Sequence, residues 1–454
     1  MGEIMAGKWT VVNCETTTFE NNIKQIHMEE TAFVPDTGIE NQVVNLYPQV
    51  KGQTFEGFGG AFTDSAGYIY AQMSKEDQQE MIHTYYDEDK LNYHLGRMHM
   101  DSCDFSMELF QAVNDPEDTA FESFSLERTE KYMLPLLRDV QEAVGRPVEL
   151  MVSPWSPPAF MKTNGERCHG GKLKAEYRGA WAEYLCRYIK ELRAAGCKVV
   201  RMSLQNEPAA VQTWDSCVYT AEEEKIFLRD FMYPALVKNG LEDIEIFIWD
   251  HNKERVFERA CTIVDETTDH MVAGFAYHWY SGDHFEALGL LEQKFPGKKM
   301  ILSEACIEYS KYSADDYLAN AQKYAHDIIG NLNHGMTAFY DWNLILDQVG
   351  GPNHVGNFCD APYLYHLEEK RLMERNTLSY IRHFSHYIQP GAVRIGYSKY
   401  TDEIDVTAFE NPDGTLAAVI LNRTDKEMPV VFRLNGQTAE IQVRAQAIET
   451  VVIK

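Results

Sequence analysis

The sequence predicts a (β/α)8 barrel carrying a β-sandwich assembled from both chain ends. Three observations predict it. Between about residue 54 and residue 390, eight short apolar or β-branched runs alternate with longer segments of helical periodicity. Beyond residue 391 the rhythm changes to brief alternating runs separated by turn residues. Residues 8–50 are again strand-rich without that strand–helix rhythm. The expected division is residues 1–50 as N-terminal strands of the sandwich, 51–390 as the barrel, and 391–454 as the rest of the sandwich.

The expected barrel strands are 55–61, 93–100, 148–153, 199–205, 244–249, 272–278, 299–303 and 336–340. The third, VELMVS, is almost continuously apolar, as a parallel strand covered by helices should be. Amphipathic segments 74–90, 127–144, 174–195, 221–239, 253–268, 314–332 and 366–387 supply helices between and after them. Eight such repeats match a closed barrel with loop insertions. A doubly wound open sheet remains the alternative, because strand counting does not show closure. In the sandwich, strands are expected at 393–398, 403–410, 416–422, 430–434, 440–445 and 448–453, with turns at Asn411-Pro412-Asp413-Gly414 and Asn435-Gly436. N-terminal strands at 9–12 and 23–28 complete it.

Composition narrows the function. The chain has 454 residues, 42 Lys and Arg against 69 Asp and Glu, and a formal charge of -27. A surface this acidic repels nucleic acid and anionic membranes, so neither is an expected partner. Neutral ligands fit, and 7 Trp with 25 Tyr supply flat apolar faces for them. The nine cysteines are scattered without CxxC spacing, which suits reduced thiols in a core better than a zinc ribbon or a dithiol pair. The first residues contain no apolar run of roughly 7–15 residues, and no stretch reaches about 18, so a cytoplasmic protein is expected.

In a barrel the residues at strand C-termini face the site of chemistry. The fourth strand leads into Gln205-Asn206-Glu207-Pro208, and the seventh ends at Ser303-Glu304-Ala305. Each sets a glutamate at a strand tip, the two across the ring from one another. Two facing carboxylates are what glycosidic bond cleavage requires: one protonates the leaving oxygen, the other attacks the anomeric carbon or activates water. Either could be an ordinary surface acid, yet both lie in apolar contexts at strand ends. Other strand ends add groups suited to sugars. Asp101-Ser-Cys-Asp104 offers carboxylates for paired hydroxyls, while Trp155, Trp279 and Trp342 offer rings for a pyranose face.

Competing motifs fail. Gly57-x-Gly59 lacks the third glycine of a dinucleotide loop, because Phe62 stands there. Gly165 to Gly170 is followed by Gly171-Lys172-Leu173 rather than Lys-Ser/Thr, and no HExxH is present. The 15 histidines show no ligand spacing, so neither a cofactor nor a metal is expected.

With these residues in hand, the chain resembles glycoside hydrolase family 30, which includes lysosomal glucosylceramidase and related bacterial enzymes. GFGGAFTD, SCDFS, SPWSPP, LQNEP, HWY, SEAC, DWN and GGPN occur in the family's order from about residue 54 onwards. The resemblance implies a retaining mechanism, with Glu304 as nucleophile and Glu207 as acid/base. It matches Asn206 to the residue holding the sugar 2-hydroxyl, and Asp104, Trp155 and Trp342 to the walls of the sugar subsite, with His278 and Asn357 as further candidates. Glu304 should stay ionised with a hydrogen bond from Tyr280, and Glu207 should be raised by burial and by the charge of Glu304.

Departures from the pattern matter too. His354 follows GGPN where glucosylceramidase has an aromatic, and segment 209–220 after Glu207 differs in sequence. Ceramide specificity therefore does not carry over. The expected substrate is a small glycoside or oligosaccharide, a β-glucoside or short β-glucan before a β-xyloside, a β-fucoside or an internal β-1,6-glucan bond. A carbohydrate-binding protein on a decayed barrel would have lost a catalytic glutamate, and both are present.

Overall fold

The computed structural model describes residues 9, 11–118 and 120–454. Eight parallel strands close into a barrel: β1 Gly57–Ala61, β2 Leu95–Met100, β3 Glu149–Pro154, β4 Lys198–Ser203, β5 Glu245–Asn252, β6 Gly274–His278, β7 Lys299–Glu304 and β8 Ala338–Asn343. Strand β8 pairs with β1, Ala338 opposite Gly57, so the ring has no free edge and the open-sheet alternative falls. At Gly59 a Cβ would lie 2.1 Å from the Leu95 carbonyl oxygen, so the approach of β1 to β2 requires glycine there.

Inward side chains follow the two-residue period of a strand and stack in layers. Leu95, Met151, Phe247, Ala276, Ile301, Ala338 and Tyr340 form an apolar middle layer. One inward position further along each strand stand Arg97, Ser153, His278 and Ser303, all fully buried. The barrel core is therefore oily at mid-height and polar at its C-terminal end. The site chemistry rests directly on that change.

Helices cover the outside much as the periodicity predicts. Glu127–Val144 coincides with its expected range, and Gly145 ends it in the left-handed conformation (φ 66°) that glycine adopts without a Cβ penalty. Segment 366–387 is a correction. Only Asn376–Ser385 is helical; before it Tyr363–His366 and Arg371–Glu374 form an antiparallel pair turning at Lys370 (φ 50°). Helix Phe285–Lys294 between β6 and β7 was not among the expected segments.

A ten-stranded sheet makes the sandwich. The N-terminal strand Val12–Glu20 pairs antiparallel with the C-terminal strand Ala447–Ile453, Val12 opposite Ile453. Both termini thus build one sheet, as expected; of the expected strand 9–12, Thr10 lies outside the described residues, and the strand starts at Val12. Strand Leu416–Asn422 is buried on both faces. Leu416, Ala418 and Ile420 point into the sandwich core, whereas Ala417, Val419 and Leu421 join the barrel's helices. The two units share apolar surface through this strand.

A charged clamp adds to that junction. His326, on helix Tyr317–Asn333, meets Asp405 of the sheet at 2.8 Å and Asp283 of the barrel at 3.1 Å. The hydrogen bond that His326 donates to Asp405, more than burial or Arg423 can oppose, raises its pKa above the ordinary value. A raised histidine stabilises the fold fully below its unfolded pKa of about 6.5 and loses that contribution as pH rises through its folded value. The expected result is a melting-temperature difference between wild type and His326→Gln that is largest below the unfolded pKa of about 6.5 and shrinks as pH rises through the folded value above it. A difference independent of pH would contradict the clamp.

Candidate active site

A cavity of about 210 Å³ opens at the C-terminal end of the barrel strands. A larger one, about 730 Å³, lies beside Asn92 and His94, before β2 begins and away from the strand ends where barrel chemistry is placed. The smaller cavity collects most of the residues expected from sequence. Asp104, Trp155, Asn206 and Glu207 line one part, and Tyr280, Glu304, Trp342 and Asn357 another.

Glu304 is the last residue of β7 and lies opposite His278 where the register with β6 shifts, so it reaches the cavity by a break in the alternation that turns Ser303 inward. Glu207 follows β4 by four residues in a left-handed conformation (φ 48°), its amide donating to the Asp250 carbonyl at 2.9 Å. That hydrogen bond holds a strained turn in place. Oxygens of the two carboxylates and a ring nitrogen of His278 lie within 4.8 Å of one another. A permanent positive charge, that of Arg97, stands against Glu304. Fully buried, Arg97 donates to Glu304 at 2.6 Å and to Asp250 and Asn206 at 2.9 Å each. Its guanidinium also lies 4.9 Å from the Trp155 ring and 5.5 Å from the Trp342 ring. The Arg97 guanidinium offsets part of the charge of Glu304 and Asp250.

Four expected placements change in detail. Trp155 and Trp342 are stacked on each other, centroids 5.5 Å apart, so they form a paired wall rather than two opposed plates. Trp279 turns away to Tyr324 and donates to the Cys306 carbonyl. Its place as third tryptophan of the lining is taken by Trp214, from the divergent segment 209–220. His278 stands behind the cavity wall with zero exposure. His354 binds the Ser106 carbonyl at 2.8 Å, pinning its loop rather than reaching the cavity.

Two buried groups were missed by reading strand ends alone: Arg97 inside β2 and Asp250 inside β5. The signal was available, because a charged residue within a strand such as LGRMHM has to be paired when buried. Asp250 accepts from Ser203 at 2.5 Å, Ser303 at 2.6 Å and Arg97 at 2.9 Å, and meets His278 Nε2 at 3.1 Å. Burial opposes its ionisation, but Arg97, His278 and Ser203 outweigh that and hold it far below the usual carboxylate range.

The proton balance differs from the sequence expectation. Burial works against a charged His278, yet Glu304, Asp250 and Glu207 push its pKa up to about 9. Burial would likewise raise Glu207, but the charges of His251 and His278 and the His278 hydrogen bond (3.2 Å) lower it to about 2. His251 is itself pushed down by burial and is neutral near pH 7, so the lasting influence is His278. The proton expected on Glu207 therefore sits on its neighbour. Burial raises Glu304, against His278 and Arg97. Its oxygens accept from Arg97 and, at 2.8 Å, from Tyr280, whose own proton is held well above its ordinary pKa. A proton on Glu304 would face only donors, so the carboxylate is the form this geometry holds. Asp104, raised to about 8 by burial and then by Glu304, accepts from Asn357 at 3.0 Å.

Residues 55–388 match the model of the glycosyl hydrolase family 30 TIM-barrel domain, and residues 391–451 match that family's beta sandwich domain. The chain belongs to glycoside hydrolase family 30. It is 30% identical to the lysosomal acid glucosylceramidase of Mus musculus over 409 residues, covering 86% of this chain and 79% of that protein. Among solved structures, SrfJ from Salmonella typhimurium superposes with a TM-score of 0.93 at 34% identity, covering 97% of this chain and 99% of that one. The endo-beta1,6-glucanase BT3312 superposes with a TM-score of 0.85 at 25% identity, covering 97% and 99%. This chain is a glycoside hydrolase of that family. Among the described residues no helix is long and apolar enough to cross a membrane.

Proposed function

We propose that this family 30 enzyme is a retaining β-glycosidase that removes a single terminal sugar, a β-glucosyl unit before others, through a covalent intermediate on Glu304. One observation carries the reading: two glutamate carboxylates with oxygens within 4.8 Å of each other, on a cavity of about 210 Å³. Retaining enzymes place their carboxyls about 5–5.5 Å apart, whereas inverting ones need about 6.5–9.5 Å to admit water between them. A cavity below the roughly 300–1,000 Å³ of drug-sized pockets suits one ring rather than a chain crossing the site. That favours exo action over the endo-β-1,6-glucanase reading suggested by BT3312.

In the proposed cycle Glu304 attacks the anomeric carbon while Glu207 protonates the departing oxygen. Water then attacks the same carbon, with Glu207 as base, and releases Glu304. Asn206, held by Arg97, is placed to bind the 2-hydroxyl, and Asp104 with Asn357 to bind hydroxyls on the far side of the ring. Gln212, Trp214 and Lys311 also line the cavity, and the proposed cycle gives them to the leaving group.

The test is hydrolysis of aryl β-glucoside, xyloside, fucoside and galactoside, with the first-formed anomer followed by proton NMR. Turnover with a β-anomer formed first supports the reading. An α-anomer formed first would overturn retention, and no turnover of any β-glycoside would overturn the function. For Glu207→Ala, a nitrophenyl substrate that leaves without protonation should lose little, while an alkyl glycoside should lose about 10²–10⁴-fold in kcat/KM. Equal losses for both substrates would remove Glu207 from the acid role.

A further inference from the structure

We infer that Asp250 and His278 form a proton store for Glu207, His278 lending its Nδ1 proton to the Glu207 carboxylate for each leaving-group departure and recovering it after water attack. The inference rests on Glu207 being the acid/base.

The geometry is a line of three groups. Asp250 lies 3.1 Å from His278 Nε2, and His278 Nδ1 lies 3.2 Å from Glu207 Oε1. Asp250 and His278 have no exposure, so bulk solvent meets this line only at its Glu207 end, which opens on the cavity. An ionised carboxylate accepts only, so Asp250 fixes a proton on Nε2 and leaves Nδ1 as the ring position that exchanges one.

The backbone is bent to make this line. At the end of β5, Trp249 and Asp250 occupy consecutive left-handed conformations, φ 77° and 52°, and the register with β6 shifts there. A bulge of this kind re-aims side chains, and neither residue is a glycine that would adopt it freely. It turns Asp250 into the barrel while His251 reaches the cavity.

Every charged or titratable neighbour of His278 fits the assignment. Asp250 and Glu207 touch its nitrogens, and the Glu304 carboxylate lies within 4.8 Å. His251 and Tyr280 pack against the ring with centroids 6.3 and 5.9 Å away. Arg97 reaches it only through Asp250 and Glu304. Three acids around one imidazole favour the imidazolium, and its raised pKa agrees.

The step balances. The imidazolium Nδ1–H bond breaks and a Glu207 O–H bond forms, leaving neutral imidazole with Nε2–H on Asp250. Glu207 then gives that proton to the glycosidic oxygen as the bond from that oxygen to the anomeric carbon breaks and the bond to Glu304 forms. When water attacks, Glu207 takes one of its protons, the Glu304 ester bond breaks, and the proton returns to Nδ1.

Asp250→Asn tests the store, because it keeps shape and removes the charge that holds the proton. Expected are a basic limb of kcat/KM that moves down by about one pH unit or more, and a loss of about 100-fold on alkyl β-glycosides against less than about fivefold on a dinitrophenyl glycoside. An unmoved limb with equal losses on both substrates would reduce Asp250 to a structural role and overturn the inference. Glu207→Ala, assayed beside it, separates the cases: if it shows the leaving-group dependence and Asp250→Asn does not, the store fails while the acid role of Glu207 stands. Should Asp250→Asn not fold, wild-type protein labelled with ¹⁵N-histidine decides, the His278 signals being assigned by their loss in His278→Asn. An imidazolium with both nitrogens protonated at neutral pH is expected, and a neutral ring there would overturn the inference.

Discussion

Glu304→Gln should lower kcat by on the order of 10⁴–10⁶-fold, the scale on which removal of a nucleophile acts. The amide is isosteric but cannot form the glycosyl ester. Its oxygen can still accept from Arg97, and Arg97 keeps its bond to Asp250, so the fold should survive and KM should change far less than kcat. Folding and chemistry are thus separable in this variant. A second route needs no substitution. A 2-deoxy-2-fluoro glycoside slows both steps, the breakdown of the ester more than its formation when the leaving group is good. The peptide containing Ser303-Glu304-Ala305 should then gain the mass of one fluorosugar in wild type and none in Glu304→Gln. Activity retained in Glu304→Gln, or label found on another residue, would defeat the proposed mechanism.

Arg97→Leu should damage stability as much as activity. Arg97 has no exposed surface and its guanidinium is shared by Glu304 and Asp250. Removing one partner of a buried ion pair costs about 3–5 kcal/mol, since the remaining charge stays buried and unpaired. Here two carboxylates lose their partner, against a total stability of about 5–15 kcal/mol for a typical domain. The expected result is poor soluble yield, a large fall in the urea midpoint, and residual activity whose pH limits move upward, because the carboxylates lose the positive charge that holds their pKa values down. An unfolding free energy within about 0.5 kcal/mol of wild type would mean that Arg97 and its two acids contribute no more than a surface contact. Arg97→Lys should recover part of the stability but little activity, because a single ammonium cannot span both acids and Asn206 in the guanidinium's planar geometry.

The fold was legible because barrel strands and sandwich strands carry different periods. Eight apolar runs spaced by amphipathic helices, and brief alternating runs beyond residue 391, are local patterns that pairing then realises. The error at 366–387 has a local cause as well: Tyr363–His366 and Arg371–Glu374 are too short for a strand period to stand out against the helix that follows. Of the site, residues at strand tips were legible, since topology alone brings tips together. Glu207, Glu304, Asp104, Trp155, Asn206, Tyr280, Trp342 and Asn357 all reach one cavity. Trp279 shows the limit, because neighbours in a strand face opposite ways and its pleat sends it outwards.

The sequence by itself determined the class of fold, the two facing acids and the acidic, sugar-suited composition, because each depends on residue type and spacing along the chain. Which acid holds the proton depended on tertiary structure. Arg97 on β2, Asp250 on the bulge in β5, His278 on β6 and Glu304 on β7 are far apart in sequence and within a few ångströms in space. Electrostatic energies scale inversely with distance and rise steeply where water is excluded. Strand ends could therefore name the two glutamates, but only the packed barrel could move the expected proton from Glu207 to His278.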